Sequence, residues 1–266
     1  MKIVVLVEDS EVNNGCEYEH GLSIYVETKK HKILVDAGAT GMFMDNAKKL
    51  GVNISDVDTF VLSHGHYDHS GGLMAFADVV KDAVIYTKEG ADGEFYHGDR
   101  YIGIDKDIMK LPQVKVVEND TVIDEELSLF SGVIGRRYFA AGNLLLTDKE
   151  TGKPDTFSHE QYLVISADGM NVLISGCAHV GIVNILERYK EIYGADPDLV
   201  ISGFHFMKKG EYMEEEKENI VAVAKELCEY DTVFYSGHCT SEAAYEIMKP
   251  IMGQKLQKMF AGCEIN

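Results

Sequence analysis

The chain has 266 residues, 45% hydrophobic and 26% charged, a balance that fits a buried core with an ordinary soluble surface and excludes a disordered or fibrous chain. Its 25 basic and 44 acidic residues leave a net charge of −19, a potential that opposes nucleic-acid backbones and anionic lipid while leaving room for a local anion-binding patch. No apolar run is long enough to cross a bilayer, and the opening MKIVVLVEDS meets acids too early for a secretory leader. Five cysteines without a CxxC pair are expected as reduced thiols of a cytoplasmic protein.

In chain order, KIVVLV reads as a strand, and LSIYVET and HKILVDAG as two more joined through KKH. GMFMDNAKKLGVN has helical apolar spacing with Gly51 as its stop. VDTFVLS is a strand leading into SHGHYDH, and SGGLMAFADVV a helix after it. AVIYT, QVKVVEN and LSLFSGV are further strands. Residues 88–158, rich in glycine, aspartate and aromatics, lack clean periodicity and read as strands with long loops, a candidate cap over a site. YLVISADGMNVLISG is a hairpin turning at Asp168-Gly169. GIVNILERYKEIYG puts Ile182, Ile185, Leu186, Tyr189 and Ile192 on one helical face. PDLVISG and DTVFYSG are strands, MEEEKENIVAVAKELCEY an amphipathic helix, and SEAAYEIMK a helix expected to stop at Pro250.

Several strands end in a short turn bearing histidine: VLSHGHYDH, LISGCAH, VISGFH and FYSGHC. Strands feeding polar turns bring side chains distant in sequence to one sheet edge. In HGHYDH, residues 64–69, three histidines and an aspartate crowd six positions. Protonated, such imidazoles repel; around a shared dication they become favourable donors, suited to zinc, iron or manganese. His205, in SGFHF, is a candidate ligand, substrate contact or proton donor.

HGHYDH resembles the H-x-H-x-D-H signature of the metallo-β-lactamase superfamily. The resemblance implies an αββα sandwich, an α/β layered fold, over one domain spanning 1–266, with one or two divalent metals at a sheet edge. EHGLS (19–23), SHGHYDHSGGL (63–73), GCAHVGIVNI (176–185), GFH (203–205) and GHCT (237–240) resemble a subgroup named for an archaeal dihydropteroate-synthase-like enzyme of methanopterin biosynthesis. Carried over by position, His64 and His66 would bind the first metal, and Asp68, His69 and His238 the second. His179 is the favoured further ligand. Cys177, standing where the family has a bridging aspartate, and His159 are alternatives. Asp36 resembles an aspartate that orients a ligand histidine, although Ala37 stands where the family has threonine. His20 and Ser23 could lie near the cleft. His31 and His97 read as surface or loop histidines, and Cys239 as packing.

Two reactions follow. One is hydrolysis of a small ester, lactone, thioester, amide or phosphoester by water acidified at the metals, with Asp68 orienting the nucleophile. The other is transfer of a dihydropterin-methyl group from its diphosphate to an aminobenzene-ribose phosphate. A di-iron redox centre and a non-enzymatic sensor are the remaining classes. The expected partner is a small molecule, and a phosphorylated one could be gripped by Arg136-Arg137 and Arg100 while Tyr138 or Phe139 stacks on a flat ring; surface ion pairs are the competing role for Arg136 and Arg137. Lys208 and Lys209 read as a solvated turn. No nucleic-acid or membrane partner is expected.

Overall fold

The structure is a computed structural model and describes residues 1–10, 12 and 14–265. Two seven-stranded sheets lie face to face. The first runs Glu264–Ile265, Lys2–Val7, Ser23–Glu27, Lys32–Val35, Thr59–Val61, Val84–Lys88, Val114–Val117, and is parallel from Lys32–Val35 onwards. The second runs Leu256–Lys258, Val233–Ser236, Leu199–Ile201, Met170–Ile174, Tyr162–Ala167, Leu127–Phe130, Thr121–Val122, parallel through its first four strands.

The period of two along each strand decides the layers. Ile3, Val5, Ile24, Val26, Ile33 and Val35 face inward and meet Leu163, Ile165, Val172, Ile174, Leu199 and Ile201 from the other sheet. Their neighbours Val4, Leu6, Tyr25 and Leu34 point outward and pack with Phe43, Ala47, Phe76 and Ala77 of the helices Met42–Lys49 and Leu73–Val79. On the opposite outer face Val164, Leu173 and Val200 pack under the helices Ile182–Tyr193, Glu214–Leu227 and Glu242–Met252. The order of layers is helix, sheet, sheet, helix, as the α/β sandwich expectation requires.

The segment 88–158 contributes a separate four-stranded sheet, Lys153–Pro154, Leu146–Asp148, Phe95–His97, Arg100–Tyr101. The hairpin turn at Asp168-Gly169 has positive φ at both residues, 52° and 79°, the left-handed pair a tight two-residue turn needs.

Two local expectations are corrected. Ile192 is 37% exposed, while Ile182, Ile185, Leu186 and Tyr189 are buried. At 100° per residue it lies about 20° beyond Ile185, at the edge of the packed stripe, and in the last turn before Gly194 ends the helix. The last helix also runs through Pro250 to Met252. So near the end, proline removes only one ladder bond, and buried Met248 and Met252 hold the turn onto the sheet until Gly253 breaks it with φ 56°. Among the described residues, no helix is long and apolar enough to cross a membrane.

Candidate metal centre

The parallel strands share one consequence: their carboxyl ends leave the sheets along a common edge, where crevices form. Asp36 follows Val35, the run Ser63–His69 follows Thr59–Val61, Cys177 and His179 follow Met170–Ile174, His205 follows Leu199–Ile201, and His238 follows Val233–Ser236. Asp9 follows the antiparallel strand Lys2–Val7 to the same place. Asp36, Ala178, His205 and His238 all hold φ between 47° and 59°. Non-glycine residues adopt that conformation at a cost of order 1 kcal/mol or more, and here it turns their side chains into one crevice. Gly65 separates the first two histidines because a Cβ there would lie 2.1 Å from the Ala91 carbonyl oxygen. Gly176 combines φ 54° with a would-be Cβ contact of 2.4 Å to Ser63 Oγ.

Among the described residues four groups of donors lie close enough to share an ion; Asp9, His20 and His238, and His66, Asp155 and His159, contain partners already bonded to one another, and two further groups face the crevice. His64, His66 and His179 form one, and Asp68, His69, Cys177 and His238 the other, the donor atoms of each lying within 4.8 Å of one another and every residue buried. Fixed partners set the tautomers. Ser63 Oγ–H donates to Asp36 Oδ2 at 2.6 Å, so the Ser63 oxygen accepts from His64 Nδ1–H at 2.9 Å. Asn143 Nδ2 donates to the His179 carbonyl at 2.7 Å, which turns its Oδ1 to accept from His179 Nδ1–H at 3.0 Å. His69 Nδ1–H donates to Asp36 Oδ2 and His238 Nδ1–H to Asp9 Oδ1, each at 2.6 Å.

All four Nε2 atoms therefore turn lone pairs inward. His64 and His179 face each other at 3.3 Å, and His69 and His238 at 3.2 Å. Facing lone pairs repel unless a cation lies between them, a metal ion or, at His238 whose carboxylate neighbours favour it, a proton. Nitrogens bound to one tetrahedral zinc at 2.0–2.1 Å stand about 3.4 Å apart. Cys177 Sγ lies 3.1 Å from His69 Nε2, and Asp68 Oδ2 lies 3.6 Å from His69 Nε2 and 3.4 Å from His238 Nε2. The buried Nε2 of His66 and Nδ1 of His205 have no hydrogen-bond partner among the described residues. Donor chemistry, spacing and the unpaired nitrogens fit divalent metals.

Electrostatics separate the two clusters. Burial, with the neighbouring imidazoles adding to it, holds His64 and His179 well below the usual imidazole range and lowers His66 to about 3. His238 moves the other way: burial lowers its pKa, but the Asp9 and Asp68 carboxylates outweigh that and raise it well above the ordinary value. Burial would raise Asp68, yet His69, His238 and His20 hold it well below the carboxylate range. Burial pushes the Cys177 thiol far up, helped by Cys239.

The structure thus gathers His64, His66, Asp68, His69, His179 and His238, and adds Cys177. His159 stands behind them. Its Nδ1 accepts from Gly65 N–H and its Nε2–H donates to Asp155 Oδ2, both at 3.0 Å, so neither nitrogen is free for the His64 cluster. Ser23 is fully buried and donates to the Asp36 carbonyl beneath the crevice. His20 is at the mouth: its Nδ1–H donates to Asp9 Oδ2 at 2.7 Å, its Nε2 lies 3.5 Å from Asp68 Oδ2, and its ring stacks on His238. His205 sits against His179, ring centroids 3.9 Å apart, at the inner end of a cavity of about 570 Å³ lined by Tyr138, Phe139, Phe206 and Tyr212. Arg100 lies over the Tyr67 ring at 4.6 Å. Arg137 is held by Glu187 and Glu226, whereas Arg136 donates to the carbonyls of Gly135 and Thr156, so the paired arginines do not form one clamp. Lys208 is tied to Glu216 at 2.6 Å rather than left to solvent, because Glu216 caps the helix start beside it. His31 bridges Asp58 and Asp124 at the surface, and Cys239 donates from its buried thiol to the Cys177 carbonyl. Sequence reasoning missed Asp9, Asn143, Asp155 and Glu160. Only Asp9 carried a signal, since it too follows an apolar strand.

Fold and donor sets together define a class of layered α/β proteins that collect imidazole, carboxylate and thiol donors at one sheet edge. A family model described as the metallo-beta-lactamase superfamily matches residues 18–205, and the chain belongs to that superfamily. It is 27% identical over 98% of its length, and 95% of the relative's, to 7,8-dihydropterin-6-methyl-4-(beta-D-ribofuranosyl)-aminobenzene-5'-phosphate synthase of Methanocaldococcus jannaschii. An uncharacterized protein of the same organism is 31% identical over 71% of this chain and 73% of its own. A crystal structure described as a metal-dependent hydrolase of the beta-lactamase superfamily superposes with a TM-score of 0.84 at 32% identity, covering 100% of this chain and 98% of that one.

Proposed function

We propose that the two clusters hold two divalent metals and that the chain is a hydrolase of a small ester, lactone, thioester or phosphoester. The observation that carries this reading is the pair of inward-facing Nε2 contacts, at 3.2 and 3.3 Å, with all four tautomers fixed from behind. His64, His66 and His179 would hold one ion; Asp68, His69, Cys177 and His238 the other. The thiol at Cys177 favours zinc over iron or manganese. Such a pair, when bound, acidifies water and polarises a carbonyl or phosphoryl oxygen.

The chain's own groups do the rest. Asp36 holds His69 directly and His64 through Ser63, so one carboxylate aligns a donor in each cluster. Asp68, kept ionised by three imidazoles, offers Oδ2 as a hydrogen-bond acceptor that orients the attacking nucleophile. His205 presents a buried, unpaired Nδ1 where the crevice meets the aromatic cavity, suited to a substrate oxygen or nitrogen. The aromatic walls would receive a flat or apolar substrate body and exclude water from it.

Two observations favour a second reading, transfer from a dihydropterin-methyl diphosphate to an aminobenzene acceptor. One is the full-length similarity to the archaeal synthase; the other is the aromatic cavity beside His205. A single assay separates the readings. The zinc-loaded protein is given phosphodiesters, lactones and thioesters, and separately the pterin diphosphate with and without acceptor. Turnover without acceptor supports hydrolysis; diphosphate release only with acceptor supports transfer; no turnover of any of them overturns both.

A further inference from the structure

A second cavity, of about 520 Å³, lies beside the crevice, and none of the seven cluster residues lines it. Its walls come from the end of the strand Val84–Lys88, the loop after Val114–Val117, the loop 131–136 and the segment 156–162. Lys88 is 7% exposed and is the only buried lysine or arginine among the described residues. Its ammonium donates to one backbone carbonyl, Glu118 O at 3.0 Å, and has no carboxylate within 4.0 Å among the described residues. A buried ammonium without a counter-charge is costly unless an anion reaches it.

A second cation faces the same space. Arg136 is exposed and, among the described residues, is likewise satisfied only by backbone carbonyls, those of Val133, Gly135 and Thr156. The third, Arg188, is engaged by Asp120 at 2.7 Å. None of the three carboxylates lining the cavity pairs with Lys88 or Arg136 within 4.0 Å among the described residues; exposed Glu118 gives Lys88 its backbone carbonyl and not its side chain. Asp120 is spent on Arg188 and the Ser131 N–H. Glu160 gives its oxygens to the N–H groups of His179 and Val180 and to the Tyr162 hydroxyl. Two cations without carboxylate partners among the described residues thus share one concave surface, with donor groups left for an anion.

We propose that this cavity binds a phosphate monoester, its phosphoryl group held between Lys88 and Arg136 and its organic part against Val133, Ile134 and Phe157. The guanidinium fork matches phosphoryl oxygens, and the volume exceeds what a bare oxyanion fills. The site is separated from the crevice by Phe157, whose far face stacks on His179 at 4.5 Å. This inference does not rest on the proposed reaction.

The test is calorimetric titration of the metal-loaded protein with phenyl phosphate. Wild type and three variants, Lys88→Met, Arg136→Met and Arg137→Met, are compared at matched metal content. The expected result is a class of sites whose affinity falls at least tenfold in Lys88→Met and in Arg136→Met and is unchanged in Arg137→Met. Phosphate taken up by the metals persists in all four proteins and so is told apart. If Lys88→Met does not fold, Arg136→Met carries the test, since its side chain is exposed. Identical titrations in wild type and Arg136→Met, absence of binding, or an equal loss in Arg137→Met would each overturn the proposal.

Discussion

The two donor clusters share a crevice but are built on opposite electrostatic terms. The imidazole cluster, His64, His66 and His179, is backed by Ser63, Asn143 and the buried Glu160, which burial raises to about 7. The mixed cluster, Asp68, His69, Cys177 and His238, is backed by Asp9, held well below the carboxylate range because His238 and His20 outweigh the effect of its burial. The first cluster is thus neutral before any metal arrives. The second attracts a cation, and a proton competes with the metal for His238 and Cys177. Similar spacing with different charge makes two unlike sites.

The largest expected effect comes from breaking the mixed cluster. Asp68→Ala should cut turnover of any substrate found by at least about 10³-fold with an unchanged far-ultraviolet circular dichroism spectrum, while the metal-free midpoint falls because buried His238 loses a charge partner. A variant retaining more than a tenth of wild-type turnover would remove Asp68 from the chemistry. The supporting groups come next. Asn143→Ala should weaken metal binding at the imidazole cluster about 10- to 100-fold and leave the mixed cluster alone, as read by competition with a chromophoric chelator. Equal weakening at both clusters would mean that the two are not independent.

Glu160 sharpens the contrast through pH. Its folded pKa of about 7 lies above the ordinary value of 4.5, so between those values the folded state holds more protons than the unfolded one. Stability from this group is complete below about pH 4.5 and is lost as pH rises to about 7, roughly 3 kcal/mol in all. Denaturant titrations of metal-free wild type and Glu160→Gln should therefore differ in slope over that window, wild type falling more steeply with rising pH. Parallel curves would show that Glu160 is ionised throughout. The smallest effect belongs to the exposed surface: Arg137→Ala breaks two ion pairs yet should cost no more than about 1 kcal/mol.

The strands, the hairpin at Asp168-Gly169 and the crowding at HGHYDH were legible because period-two alternation and metal-donor spacing are local signals. His238 was assignable through its resemblance to the superfamily's C-terminal ligand histidine, and His179 through its place two residues past Cys177 at a strand end, where strand ends meet at one edge. Cys177 stayed ambiguous for a physical reason: a thiol buried as packing and a thiol buried as a donor look alike until His69 is seen 3.1 Å away. The supports were mostly invisible. Asn143 lies in the segment without periodicity and reaches His179 across 36 positions, and Lys88 reads as the polar end of an ordinary strand. Of the two roles left open for the adjacent arginines, Arg137 takes that of ion pairing, with Glu187 and Glu226, while Arg136 turns to backbone carbonyls.

Metal stoichiometry tests the central claim most directly: native mass spectrometry of the protein expressed with zinc and iron supplied, beside His66→Ala and His238→Ala. Two ions per wild-type chain and one in each variant is the expected result. A wild-type chain that carries no ion after loading, or variants that keep both, would contradict the two-cluster centre.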